Sequence, residues 1–135
     1  MDERRWQILY VEDQQDIIDL VRVALRRKPV DVIAANDVIQ ALKLLQETTP
    51  DLVLLDLMMP EVDGWAVYRE MRASERLRSV PIIVITARGD LRERDEALHK
   101  EGIVGYLIKP FSPTELIRMI DDILNRSPES AGKSH

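Results

Sequence analysis

The sequence predicts an α/β fold, a (βα)5 doubly wound sheet of five parallel strands with helices on both faces. Three observations carry that expectation. Five short runs of Val, Ile and Leu recur without polar alternation, the composition of strands buried on both faces. Longer amphipathic stretches lie between them, with apolar residues at helical spacing. Prolines and turn residues punctuate the boundaries. Regular alternation of this kind implies a parallel sheet covered by its crossover helices.

The elements follow in order. The first run spans residues 8–11, and Ile17, Ile18, Val21, Ala24 and Leu25 then repeat at helical spacing. Pro29 precedes the second run, 30–35, which Val38, Ala41, Leu42 and Leu45 follow as a second stripe. Pro50 precedes the third run, 52–55. Asp63-Gly64 marks a turn into a third helix carrying Trp65, Tyr68 and Met71. Pro81 precedes the fourth run, 82–85, and a weaker stripe of Leu91, Ala97 and Leu98 follows. The alternating charges Arg92-Glu93-Arg94-Asp95-Glu96 read as a solvated helix face. The fifth run is 106–108. Ser112-Pro113-Thr114-Glu115 then supplies an N-cap, a proline at the first helical position and a capping-box glutamate. Leu116, Ile117, Ile120, Ile123 and Leu124 complete the last helix. No internal repeat or second domain is evident: one domain is expected over residues 1–126, and the polar stretch 127–135 reads as a flexible tail.

Composition narrows the chemistry. The chain has 135 residues, 45% apolar and 32% charged, which suits one folded domain. Aromatic residues make up only 4%, so the core must be aliphatic. There is no cysteine, which excludes disulfides, thiolate metal sites and cysteine nucleophiles. The only histidines are His99 and His135, so any metal site must be built from oxygen ligands, as suits Mg²⁺, Ca²⁺ or Mn²⁺. A net charge of −5 argues against direct nucleic-acid binding by this chain. No apolar run is long enough to span a membrane, and Met1-Asp2-Glu3-Arg4-Arg5 leads into no signal-peptide core. A cytoplasmic location is the resulting expectation.

Functional side chains cluster where the strands end. The first run ends in Glu12-Asp13, the third in Asp56, the fourth in Thr86 and the fifth in Lys109. In open parallel sheets the ligand crevice lies beyond the carboxyl ends of the strands. Three carboxylates gathered there would oppose one another's ionisation, and a divalent cation removes the conflict. Lys109 adds a mobile positive charge and Thr86 a hydroxyl, the parts needed to hold a phosphoryl group during transfer. Each residue has a plainer reading on its own: Asp13 an N-cap, Asp56 a solvated strand end, Thr86 a turn cap, Lys109 a surface lysine. Their joint placement at four strand ends favours the site.

These segments carry a resemblance. Leu9-Tyr10-Val11-Glu12-Asp13, Leu54-Leu55-Asp56-Leu57-Met58-Met59-Pro60-Glu61-Val62-Asp63-Gly64, Ile85-Thr86-Ala87 and Tyr106-Leu107-Ile108-Lys109-Pro110-Phe111 resemble the motifs of two-component response-regulator receiver domains, over roughly residues 7–126. The resemblance implies a flavodoxin-like sheet of strand order 2-1-3-4-5. It implies that Asp56 accepts a phosphoryl group from a sensor histidine kinase or histidine phosphotransfer protein, as an acyl phosphate. It also implies Mg²⁺ on Asp13, Asp56 and the Met58 backbone carbonyl, with Glu12 acting through a water. Lys109 would pair with the phosphate, while Thr86 and the Ala87 backbone N–H bond its oxygens. Tyr106 would be the switch aromatic, and Lys109-Pro110 a cis bond. The readout implied is a downstream protein effector on the face of the fourth helix, fifth strand and fifth helix, residues 91–101, 106–108 and 113–125. Such a chain is no ordinary enzyme, since it catalyses only its own phosphorylation and dephosphorylation.

Some positions depart from the family pattern. Gln14-Gln15 stand where many relatives carry another acid, at little expected cost. Met58 and Arg88, two residues after Asp56 and Thr86, occupy positions that tune dephosphorylation, and Arg88 is expected to favour anionic phosphodonors. Met119 replaces an arginine used for dimerisation by receivers of the winged-helix transcription class.

Rival readings fit less well. A haloacid-dehalogenase-type phosphatase needs Asp-x-Asp after its first strand, whereas Asp56-Leu57-Met58 lacks the second acid. A flavin-binding module needs a Ser/Thr/Gly-rich phosphate loop where Glu12-Asp13-Gln14 stands. A phosphorylation-independent protein-binding module usually lacks one of the key residues. No effector domain is evident after residue 126, and Met1 leans slightly towards a stand-alone receiver over a fragment of a longer regulator.

Overall fold

A computed structural model describes residues 4–59, 62–87 and 91–125. Among these residues, five sheet strands and five helices alternate: β1 Trp6–Val11, α1 Gln15–Ala24, β2 Val30–Ala35, α2 Val38–Glu47, β3 Leu52–Asp56, α3 Trp65–Ala73, β4 Ile82–Thr86, α4 Leu91–Leu98, β5 Ile103–Ile108 and α5 Pro113–Asn125. The five strands form one parallel sheet in the order β2-β1-β3-β4-β5, as expected. A short antiparallel ribbon, Met58–Met59 against Val62–Asp63, links β3 to α3; it is too short to leave a periodic trace in the sequence.

Strand alternation splits the core into two layers. Leu9, Val11, Val53, Leu55, Val84 and Tyr106 face one side, against Val38, Ala41 and Leu45 of α2, Val67 and Met71 of α3 and Ala97 of α4. Ile8, Tyr10, Leu52, Leu54, Ile83, Ile85 and Leu107 face the other, against Ile18 and Val21 of α1 and Leu116, Ile120 and Ile123 of α5. All five β3 residues and all five β4 residues are buried, which is why those runs lack polar alternation. Burying each such Val, Ile or Leu side chain contributes about 1.5–3 kcal/mol.

Helix ends fix where the strand ends point. Ser112 caps α5, its Oγ accepting from the Glu115 backbone N–H at 3.3 Å, the forward half of the expected capping box. Asp37 caps α2 through the Gln40 N–H at 2.7 Å, and the Gln40 side chain returns a bond to the Asn36 N–H at 2.7 Å. Asp13 is not a helix cap: α1 starts from Gln14, which makes no side-chain cap bond. The thin stripe expected for α4 has a structural cause, since Ala97 is its one buried residue and Leu91 is 73% exposed. α4 stops at Leu98, and Gly102 at φ 91° turns the chain into β5 with a conformation that disfavours side chains.

The expectations for the tail 127–135 and for Arg88 fall outside the described residues, as do Pro60 and Glu61 of the motif after β3. Among the described residues, no helix is long and apolar enough to cross a membrane.

Candidate functional site

Parallel pairing brings the carboxyl ends of β1, β3, β4 and β5 to one edge. Val11 pairs with Leu55, Asp56 with Ile85 and Thr86 with Ile108. The residues that follow or end these strands therefore converge. Glu12, Asp56 and Thr86 are the buried polar residues there, each no more than 1% exposed, whereas Asp13 is exposed. One carboxylate oxygen each from Glu12, Asp13 and Asp56 lies within 4.8 Å of the others.

Lys109 enters this cluster from the end of β5. Its Nζ lies 2.7 Å from Glu12 Oε1 and 3.1 Å from Asp56 Oδ2, and donates to Gln14 Oε1 at 3.1 Å. Its own backbone N–H donates to the Thr86 carbonyl at 2.8 Å, tying the lysine to the end of β4. The Lys109–Pro110 bond is cis, as the resemblance implied. Asp56 Oδ1 accepts from the Met58 N–H at 2.9 Å, so the loop after β3 folds back over the carboxylate. Glu12 is held on every side: Oε1 also accepts from the Tyr10 hydroxyl at 3.2 Å, Oε2 from the Gln14 N–H at 3.1 Å, and its carbonyl from Asn36 Nδ2 at 3.3 Å.

The electrostatics follow from burial. Loss of water pushes the Glu12 carboxyl above its ordinary range; the Lys109 bond opposes that shift and the Asp56 charge reinforces it. Burial works against the Lys109 ammonium, but its bonds to Glu12 and Asp56 outweigh it and raise its pKa. Burial, then the Glu12 charge and hydrogen bond, push the Tyr10 phenol far upward, so it remains a donor.

The donor set fits a divalent cation. Three convergent carboxylates match the oxygen coordination that Mg²⁺ prefers. One ammonium against three acids leaves the cluster net negative, so a cation would relieve the repulsion.

The structure brings Glu12, Asp13, Asp56 and Lys109 together and sets Thr86 at the adjoining strand end. Ala87 follows it, exposed. Tyr106 is buried on the α2–α3–α4 side and borders, with Thr86, Met58 and Trp65, a groove between α3 and α4. Trp65 opens α3, half-buried and packed against the core on that side of the sheet.

Three participants escaped the sequence reading. Tyr10 could have been found, because residues i and i+2 of a strand share a face and Glu12 follows at that spacing. The Gln14–Lys109 bond spans 95 positions and left no local signal. Gly64 marks only a turn in the sequence, yet a Cβ there would lie 2.6 Å from the Asp56 carbonyl oxygen.

Comparison with known proteins agrees with this geometry. The family model for the response regulator receiver domain matches residues 8–121. The chain belongs to that family. It is 38% identical over 133 residues to the probable transcriptional regulator ycf27 of Guillardia theta, covering 98% of this chain and 51% of that protein. It is 38% identical over 128 residues to the alkaline phosphatase synthesis transcriptional regulatory protein PhoP of Bacillus subtilis, covering 94% and 52%. Among solved structures, it resembles the receiver domain of the sensor histidine kinase PA1611 from Pseudomonas aeruginosa at 35% identity and TM-score 0.74, covering 92% of this chain and 98% of that one. That receiver carries a magnesium ion in its active-site cleft.

The receiver thus spans about half the length of the curated relatives it matches. Receiver domains belong to two-component signalling, interact with histidine kinases and bind Mg²⁺ at an acidic pocket, and this chain has such a pocket in Glu12, Asp13 and Asp56. Both relatives are named as transcriptional regulators. The expectation of no direct nucleic-acid contact therefore concerns this domain alone.

Proposed function

We propose that this receiver accepts a phosphoryl group on Asp56 from a sensor histidine kinase or histidine phosphotransfer protein, in a Mg²⁺-dependent reaction. The observation that carries the reading is the buried Asp56 carboxylate, clustered with Glu12 and Asp13 and paired with Lys109 at 3.1 Å. A carboxylate oxygen of Asp56 attacks the phosphorus of a phosphohistidine. The P–N bond breaks, the imidazole nitrogen leaves with its electron pair and takes up a proton, and an acyl phosphate remains on Asp56. Lys109 shifts to a phosphoryl oxygen, the Thr86 hydroxyl bonds another, and the Ala87 N–H a third, spreading charge that would otherwise oppose transfer. Asp13, Asp56 and the Met58 carbonyl would hold the metal directly, and Glu12 through a water. The ion supplies charge neutralisation between the carboxylates and the incoming phosphoryl oxygens.

The switch proposed is the movement of Thr86 towards the phosphoryl group, with Tyr106 held inward behind it. Its readout is the α4–β5–α5 face, where Leu91, Leu98, Val104 and Ile108 are exposed apolar side chains suited to a protein effector. In the longer protein that the relatives suggest, an output domain, and any contact with DNA, would lie outside this receiver.

The test is intact-mass analysis after treatment with Mg²⁺ and a small acyl or amido phosphodonor, beside Asp56→Asn. One added phosphoryl group, absent without Mg²⁺ and absent in the variant, is the expected result. No adduct on the wild type, together with no beryllofluoride binding, would favour a phosphorylation-independent binding module.

A further inference from the structure

Lys109 has two duties that conflict. In the unphosphorylated site its ammonium pairs with Glu12 at 2.7 Å. On the reading proposed above, it must leave for a phosphoryl oxygen. Glu12 is fully buried and cannot turn to bulk water when the lysine goes. A buried carboxylate deprived of its partner is strongly unfavourable, so a second donor is needed to make the departure feasible.

Tyr10 is placed to be that donor. It lies on β1 two residues before Glu12, on the face packed against α1 and α5, and is itself fully buried. Its ring is enclosed by aliphatic side chains, yet its hydroxyl reaches the oxygen that Lys109 also holds, Glu12 Oε1, at 3.2 Å. The Gln14 N–H holds the other oxygen. The hydroxyl cannot follow a phosphoryl group, because its ring is locked in the core. We infer that Tyr10 is a positioning residue that retains Glu12 as Lys109 transfers to the phosphoryl group, and so lowers the cost of the phosphorylated state relative to the resting one. The inference rests on the receiver chemistry above.

Tyr10→Phe removes the hydroxyl and keeps the ring. In the resting site Lys109 still holds Glu12, so Mg²⁺ affinity measured by calorimetry should change by no more than about twofold. With Lys109 drawn away and the hydroxyl gone, Glu12 would keep the Gln14 amide on Oε2 and the metal's water, with no protein donor on Oε1. A hydrogen bond to a charged group is worth about 1.5–3 kcal/mol, so affinity for beryllofluoride, the phosphoryl mimic, should fall about tenfold or more at saturating Mg²⁺. In a Glu12→Gln background, Tyr10→Phe should add little, because the hydroxyl acts through the carboxylate. Parallel weakening of Mg²⁺ and beryllofluoride would mean general loosening and would overturn the inference, as would unchanged beryllofluoride affinity or an undiminished effect in Glu12→Gln. A wild type that binds Mg²⁺ but no beryllofluoride would instead overturn the receiver chemistry, and the inference with it.

Discussion

Gly64→Ala separates a steric role from a conformational one. Gly64 has φ −60° and ψ −22°, a helical conformation open to any residue. If space were free, alanine there would stabilise the fold by about 0.4–1 kcal/mol, by restricting the unfolded chain. The added methyl group, however, would lie 2.6 Å from the Asp56 carbonyl oxygen and 2.9 Å from the Leu57 Cα. Both are backbone atoms, so no side chain can swing aside and the end of β3 must shift. Overpacking costs about 1–3 kcal/mol, and the balance is a net loss of about 1–2 kcal/mol. The same shift moves the phosphoacceptor, and displacement by about 1 Å can slow a reaction about 100-fold. Urea denaturation in EDTA, run beside phosphorylation kinetics with a small phosphodonor, reads both quantities. A Gly64→Ala protein as stable as the wild type and phosphorylated at the same rate would refute the close-approach argument.

Other consequences follow from the same geometry. Lys109→Met leaves the buried Glu12 without its ammonium partner, so the metal-free protein should lose about 3–5 kcal/mol. Mg²⁺ should recover part of that loss, which thermal melts with EDTA or Mg²⁺ would reveal as a widened gap. Asp37→Ala removes the α2 cap and should cost about 1 kcal/mol in chemical denaturation without altering phosphorylation of Asp56. For pH, the Glu12 pKa is raised above its ordinary 4.5, so the native state holds this proton more tightly than the unfolded chain. The stability it contributes therefore falls as pH rises from 4.5 to the raised value, then levels off. Mg²⁺ competes with that proton, so metal-induced stabilisation should grow across the same window, and Glu12→Gln should lose that growth. The Lys109 pKa is raised, so its contribution is complete below 10.5 and is lost above it, which alkaline denaturation would detect.

Much of this was legible in the sequence because burial on both faces leaves an unbroken apolar signal. The apolar runs of β3 and β4 match those strands to within one residue, since every position in them is buried. The runs of β1 and β5 are shorter than the strands. Trp6 and Gln7 are only half-buried, and the exposed Val104 and small Gly105 interrupt the β5 run. The acid, hydroxyl and amine residues were visible because chain reversal at strand ends exposes them to one crevice. Contacts across the site were not. Gln14 looked like a near-neutral departure, yet it holds Lys109 from the opposite end of the chain. The close approach of Gly64 to the Asp56 carbonyl depends on a path through the ribbon that no local pattern encodes.

Of the three clustered carboxylates, Asp56 is the one proposed to carry the phosphoryl group. Borohydride reduction of the phosphorylated protein converts an acyl phosphate into a primary alcohol, and peptide mapping then locates the residue. Homoserine at position 56, formed only after incubation with Mg²⁺ and phosphodonor, is the expected result. Homoserine at position 13, a reduced side chain at Glu12, or no reduced residue at all would contradict it.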